Sequence, residues 1–184
     1  DLVGCPQSLP ADWQCISSCL VGVTADLSEA NLAGTDLSGL DLTEVNLTSA
    51  DLSLATLTGA NLTSADLTNA LMAGVISGGI TGTPSALPTN WVFMQGYLVG
   101  PGADLTGADL SDSDLSTAYA IGLASCPSAL PTGWVCENKN LVGPGANLEG
   151  ADLSDANLAG LDLSNADLLN ALLAGATLEG ADLY

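Results

Sequence analysis

Between Ala25 and Gly74 the sequence runs ADLSE-ANLAG-TDLSG-LDLTE-VNLTS-ADLSL-ATLTG-ANLTS-ADLTN-ALMAG, a beat of five residues centred on Leu27, Leu32, Leu37 and so on to Met72. The beat returns at Leu105, Leu110 and Leu115, and again from Leu148 to Leu183. Five fits neither the helical period of about 3.6 nor the alternation of about 2 in a flat strand. A fixed short repeat sets the architecture before local propensity does. Five residues is one side of a square solenoid, a fold with an outside and almost no pocket.

Each unit reads small, Asp/Asn, Leu, then two small or polar followers. Across 22 units the centre is Leu in all but Met72 and Ala120, and the small place is Ala in 17. Both places are expected to point inward, because a Leu ladder facing water would be a large apolar patch. Each Leu buried this way contributes about 1.5–3 kcal/mol. The Asp or Asn before each Leu is placed to hydrogen-bond nearby backbone at the corner, as these residues do in tight turns.

This pattern resembles the pentapeptide-repeat family, whose consensus A-(D/N)-L-x-x is matched almost unit for unit over about 110 residues. The resemblance implies an all-β fold, a right-handed quadrilateral β-helix with four pentapeptides per coil. Some members of the family are acidic rods that resemble duplex DNA and bind DNA gyrase. Fold alone does not carry an activity.

A second, longer repeat occurs three times: Cys5-Pro-Gln-Ser-Leu9-Pro10-Ala-Asp-Trp13-Gln-Cys15, a copy running from Thr83 through Leu87, Pro88 and Trp91 to Phe93, and a copy running from Cys126 through Leu130, Pro131 and Trp134 to Cys136. Each of these Trp segments leads into a pentapeptide run, so the chain reads as one elongated domain, 1–184, in modules 5–82, 83–125 and 126–184. Cys stands at both ends of the first and third Trp segments and at neither end of the second. Paired presence and paired absence predict the disulfides Cys5–Cys15 and Cys126–Cys136, which close otherwise loop-rich segments. Structural disulfides point to periplasm, cell surface or medium. Cys19 is left over, as a small apolar plug or an intermolecular bridge.

Each Trp is expected to pack over the end or side of the Leu column and staple its Pro-rich loop. The second and third Trp segments are 43 residues apart, one such segment plus one coil, so Trp91 and Trp134 are expected on one face and Trp13 on another. Residues 75–82 lose the Leu beat and are Gly-rich, which reads as a loosened coil.

Charge is one-sided: 21 acidic residues against the single cation Lys139. Nothing can neutralise phosphates, so nucleic acid and anionic membrane are not expected as direct partners. The longest apolar run, residues 70–76, is too short to span a bilayer. With no His and no Arg, triads, His–metal sites and phosphate clamps are excluded. Acid pairs such as Asp112/Asp114 lack the cleft and aromatic subsites of a glycosidase. No enzyme and no cofactor are expected. Rows of Asp stacked at coil spacing would offer oxygen ligands to calcium. Asn replaces Asp freely at that place (Asn31, Asn46, Asn61), so weak surface binding is the most that follows.

The sequence thus favours an exported structural protein that associates with itself. Ala181-Asp182-Leu183-Tyr184 keeps the beat with no polar cap, and an uncovered solenoid end invites a neighbour. The expected interface places Leu9, Pro10, Trp13 and Cys19 of one copy against Leu178, Leu183 and Tyr184 of another, in a dimer or a filament. The alternatives are the acidic gyrase-binding mimic and an extracellular adhesion module with a protein or glycan partner.

Overall fold

The computed structural model describes residue 6 and residues 8–184. They form two compact units, Asp1–Thr89 and Asn90–Tyr184. Both are all-β and built on one corner, and that corner follows from the order of residue types. The small residue's N–H closes back on the preceding centre, as in Ala30 N–H to Leu27 C=O at 3.1 Å. The second follower takes a positive φ (Glu29 59°, Ser49 59°, Leu54 60°), the sign a type II turn requires at its third residue. The Asp or Asn before the Leu locks the corner by accepting the N–H two residues on, as Asp36 Oδ1 does from Ser38 at 3.0 Å.

The coil closes every 20 residues. Parallel bridges join Asp26 to Asn46, Asn31 to Asp51, Asp36 to Thr56 and Asp41 to Asn61, one for each side of a quadrilateral. Each coil gives its neighbour three kinds of backbone bond, one of them forward from the second follower (Gly34 N–H to Ser53 C=O, 2.8 Å). The centre N–H donates forward (Leu32 to Asp51 C=O, 2.8 Å), and the polar-place N–H donates backward (Asp51 to Ala30 C=O, 2.9 Å). Inside, the centre leucines from Leu32 to Leu67 with Ala50, Ala55, Ala60 and Ala65 form a buried column, as do Leu148, Leu153, Leu158 and Leu163 in the second unit. The fold is a right-handed quadrilateral β-helix.

Residues 75–82 are not a loosened coil. The bridges Thr56–Ile76, Asn61–Thr81 and Asp66–Ala86 carry the ladder through them and into the second Trp segment. Ser77 stands at a centre place and is buried, and so are Val75 and Ile80. The backbone ladder continues although the leucines stop.

The Trp segments are more ordered than closed loops. Each leads into an antiparallel hairpin: β1 (Gln14–Ile16) with β2 (Cys19–Val21), β3 (Val92–Met94) with β4 (Tyr97–Val99), and β5 (Val135–Glu137) with β6 (Asn140–Val142). Their two-residue turns, Ser17-Ser18, Gln95-Gly96 and Asn138-Lys139, have positive φ at both residues, the type I′ geometry that matches strand twist. The spacing Pro-x-x-Trp is itself a turn. Trp13 N–H donates to Pro10 C=O at 3.2 Å and Trp134 N–H to Pro131 C=O at 3.0 Å.

The second strand of each hairpin ends in Leu-Val and a glycine follows it, standing at a centre place. Ala25 N–H closes on Gly22 C=O at 3.1 Å, and Ala146 N–H on Gly143 C=O at 3.2 Å, as other small residues close on Leu. The indole of the same segment fills the space where the Leu side chain would lie. A Cβ on Gly22 would sit 2.6 Å from the Trp13 ring and one on Gly143 2.5 Å from the Trp134 ring; Gly100 meets Trp91 in the same way. Trp91 and Trp134 both pack against the cluster around Leu105, Leu110 and Leu115.

Candidate functional site

The least satisfied surface of the second unit is its last coil. Leu168, Leu173 and Leu178 are only half-buried although they occupy the same place as the buried Leu148, Leu153 and Leu158. Leu183 is 49% exposed and Tyr184 fully so. The polar-place amides of this coil still donate backward, as Asp182 does to Leu161 C=O at 2.9 Å. The centre amides of Leu168, Leu173 and Leu178 have no acceptor among the described residues, because their forward partner would lie in a following coil. The surface is therefore an apolar layer edged by free N–H groups.

The first unit has a hollow at its first coil, a cleft of about 560 Å³ beside hairpin β1–β2, lined by Trp13, Cys19, Leu20, Asp26, Leu27 and Glu29 among others. Of the residues expected at this end, Leu9, Trp13 and Cys19 are half-buried and Pro10 is exposed. Trp13 and Cys19 line the cleft, whereas Leu9 and Pro10 do not. Cys19 is a free thiol.

Cys126 and Cys136 form a disulfide with their Cα atoms 6.1 Å apart. Cys15 is also disulfide-bonded. Its expected partner, Cys5, lies outside the described residues.

The carboxylates coat the corners without forming rows. Of 15 isolated bridges between coils among the described residues, only Asp162–Asp182 sets Asp against Asp; elsewhere Asp faces Asn, Thr, Leu, Ser or Ala. At two of these places Asn bridges the coils: Asn46 Nδ2 donates to Asp26 Oδ1 at 3.0 Å and Asn61 Nδ2 to Asp41 Oδ1 at 3.1 Å. The stacked Asp rows expected for calcium are thus broken up. Among the described residues no group of His, Cys, Asp or Glu converges as a metal site, and no helix is long and apolar enough to cross a membrane. Hydrogen bonds from Ser28 to Asp26 and from Thr43 to Asp41 hold those carboxyls below the ordinary aspartate range.

One residue of structural weight carried no sequence signal. Asn140, at the place of Cys19 and Tyr97 in the other two hairpins, is buried with its amide in use on both sides. Its Oδ1 accepts from Gly122 N–H at 3.0 Å, and its Nδ2 donates to the carbonyls of Asn138 at 3.0 Å and Asp152 at 2.8 Å. It bolts β6 between the coil before it and the coil after it.

The family profile for pentapeptide repeats matches residues 25–63, 41–74, 101–122 and 151–184. No curated protein sequence matches the chain. Among solved structures, QnrB1, a plasmid-mediated fluoroquinolone resistance protein, is 19% identical over 88% of this chain and 81% of its own, with a TM-score of 0.31. HetL, a pentapeptide repeat protein involved in heterocyst differentiation regulation in the cyanobacterium Nostoc sp. strain PCC 7120, is 28% identical over 86% of this chain and 63% of its own, with a TM-score of 0.25. The chain spans about three fifths of the length of HetL and of a trypsin-treated form of QnrB1. Proteins of this kind are in general structural or binding proteins rather than enzymes. With matched repeats over more than half its length, each closing a corner of the same coil, the chain belongs to the pentapeptide-repeat family.

Proposed function

We propose that this chain is a non-catalytic, exported structural protein that associates with itself through the apolar face of its last coil, as a dimer or an open filament. One observation carries the reading: leucines at one repeat place are buried in residues 146–165 and half-open in residues 166–184. Covering that layer removes apolar surface from water at about 25 cal/mol per Å². The Cys126–Cys136 bridge supports an oxidising compartment, periplasm, cell surface or medium.

Sedimentation velocity and negative-stain electron microscopy of the purified chain test the reading. Concentration-dependent assembly is expected, and Leu183→Asp should abolish it without changing the β signature in circular dichroism. A chain that stays monomeric, or a variant that still assembles, overturns it. Thiol titration of the denatured, unreduced protein should find one free thiol per chain; five would place the protein in the cytoplasm.

A second reading, the acidic mimic of duplex DNA that binds gyrase, is favoured by the net charge of −20. Inhibition of gyrase supercoiling by the purified chain would establish it. A third, an adhesion module reading glycans through its Trp segments, draws on the half-buried indoles of Trp13, Trp91 and Trp134.

A further inference from the structure

The repeat puts apolar residues inside and polar ones outside, and the middle of the first unit breaks that rule. From Asp26 to Thr81 the place before each centre is Asp, Asn or Thr in every pentapeptide except two, which carry Leu71 and Ile76. Leu54 departs in a second way. It stands at a second-follower place with φ 60°, and among the described residues it is the only apolar side chain at a positive φ. That backbone region disfavours a bulky residue and suits Gly or Asn. These three are the exposed large aliphatics of the described first unit: Leu54 is 68% exposed, Leu71 59% and Ile76 38%.

The three gather at one corner. Leu54 N–H donates to Ala73 C=O at 2.9 Å, which sets Leu54 against the Ala73-Gly74 turn of the next coil. A Cβ on Gly74 would lie 2.5 Å from Leu54 Cδ2, so the glycine is the seat of the Leu54 side chain. Leu71 stands three residues before that seat and Ile76 two after it, on adjoining sides of the coil. Their ladder partners in the preceding coil are Asp51 and Thr56. The result is an aliphatic ridge that rounds the corner, with its middle member held in place. The coil does not need it, because the same places elsewhere carry Asp, Asn and Thr. An unfavourable backbone kept for the sake of an outward apolar side chain points to a function.

We propose that this ridge docks an extended segment of a basic protein, whose aliphatic side chains cover Leu71, Leu54 and Ile76 and whose Lys or Arg side chains reach the flanking carboxylates. Those carboxylates are Asp51, paired with Leu71; Asp66, one pentapeptide before it; and Asp36, paired with Thr56 on the Ile76 side. Hydrogen bonds from Ser53, Thr68 and Ser38 hold them below the ordinary aspartate range, so all three are ionised at neutral pH. The chain has no cation before Lys139, so the first unit of a second copy brings none to the ridge, and an anionic lipid surface is repelled. A rounded corner suits extended backbone, which bends with it, whereas a straight helix would touch one side only. Three aliphatic side chains anchor a short segment and fall far below the roughly 800 Å² per partner of a stable folded interface. Leu54, already fixed on Gly74, loses little freedom on binding. The ridge belongs to the first unit alone and does not depend on the self-association proposed above.

The test uses the full chain and two fluorescent peptides of alternating residues, one Lys-Leu and one Lys-Ser, matched in length and charge. By fluorescence anisotropy the Lys-Leu peptide should bind about tenfold more tightly than the Lys-Ser peptide, and added salt should weaken both. The triple variant Leu54→Asn, Leu71→Asn, Ile76→Thr puts at each position a residue that the repeat itself uses there, and it keeps the net charge. It should bring the Lys-Leu affinity down to the Lys-Ser level while its unfolding midpoint stays at or above that of the unmodified chain. A Lys-Leu preference that survives the triple variant overturns the proposal. A lowered unfolding midpoint overturns it too, since the aliphatics would then belong to the fold. Loss of self-association in the variant would make the ridge a contact between copies. Binding to neutral phosphatidylcholine vesicles that the variant loses would make it a lipid contact. Either of these results also overturns the basic partner.

Discussion

Residues 146–165 and residues 166–184 follow one rule, Ala at the small place and Leu at the centre with one exception (Leu161), yet they are physically different coils. In the first, Leu148, Leu153, Leu158 and Leu163 are buried and their amides donate forward to Asp167, Leu172, Thr177 and Asp182. In the second the leucines are half-open and the same amides have no acceptor among the described residues. A pentapeptide thus supplies its own corner but only half of its packing and half of its ladder. The other half comes from the next coil, as in any repeat protein whose stability is a sum of neighbour terms.

The largest effect that would sharpen this comparison is a matched pair of truncations. Leu153→Ala should cost about 2–5 kcal/mol, since it leaves a closed cavity, and Leu178→Ala about 1 kcal/mol, since its site is already open. Denaturant unfolding of both variants measures the difference; equal costs would mean that the two coils are not distinct. Next, reduction of Cys126–Cys136 should remove about 2–3 kcal/mol by freeing a short closed loop of the unfolded chain. Hydrogen exchange should then rise first in β5 and β6, and a rise confined to the last coil would contradict the placement of that hairpin. Asn140→Ala strands Gly122 N–H and Asp152 C=O and should cost about 1–3 kcal/mol. Cys19→Ala, at the equivalent place in the first hairpin, should change stability by less than about 0.5 kcal/mol.

The smallest effect is that of pH. Asp26, Asp36 and Asp109 have folded values below the ordinary 3.8, first because a serine side chain hydrogen-bonds each carboxylate. A folded value below the unfolded one stabilises above the unfolded value, and that contribution is lost as pH falls through the folded value. In high salt, which screens the general repulsion, the melting temperature should therefore hold steady down to about pH 4 and decline only below it. A melting temperature that rises on acidification would show that the corner bonds do not matter.

Much of this was legible in the sequence. The five-residue beat gives the coil, the residue before each Leu gives the corner bond, and the paired cysteines give Cys126–Cys136. The hairpins were hidden because Ser17-Ser18 and Asn138-Lys139 are weak type I′ signals beside Asn-Gly. Residues 75–82 misled because the ladder is made by backbone, which Ile76, Gly78 and Thr81 supply although no Leu stands at the centre places. The absence of Asp rows could have been found by comparing each residue with the one 20 places on, a spacing that is meaningful only once four pentapeptides are known to close a coil. Asn140 aligns with Cys19 and Tyr97, and its value comes from the backbone groups of Gly122 and Asp152 that its amide reaches.

The indole seated on Gly22, Gly100 and Gly143 has an optical consequence. The chain's three tryptophans are Trp13, Trp91 and Trp134, each at the splice between a hairpin and a coil. Tryptophan fluorescence of this protein, excited where tyrosine does not absorb, is therefore a gauge of its splices alone. A coil could open at its corners in the dark, while the parting of a single indole from its glycine would be seen at once as a red-shifted emission.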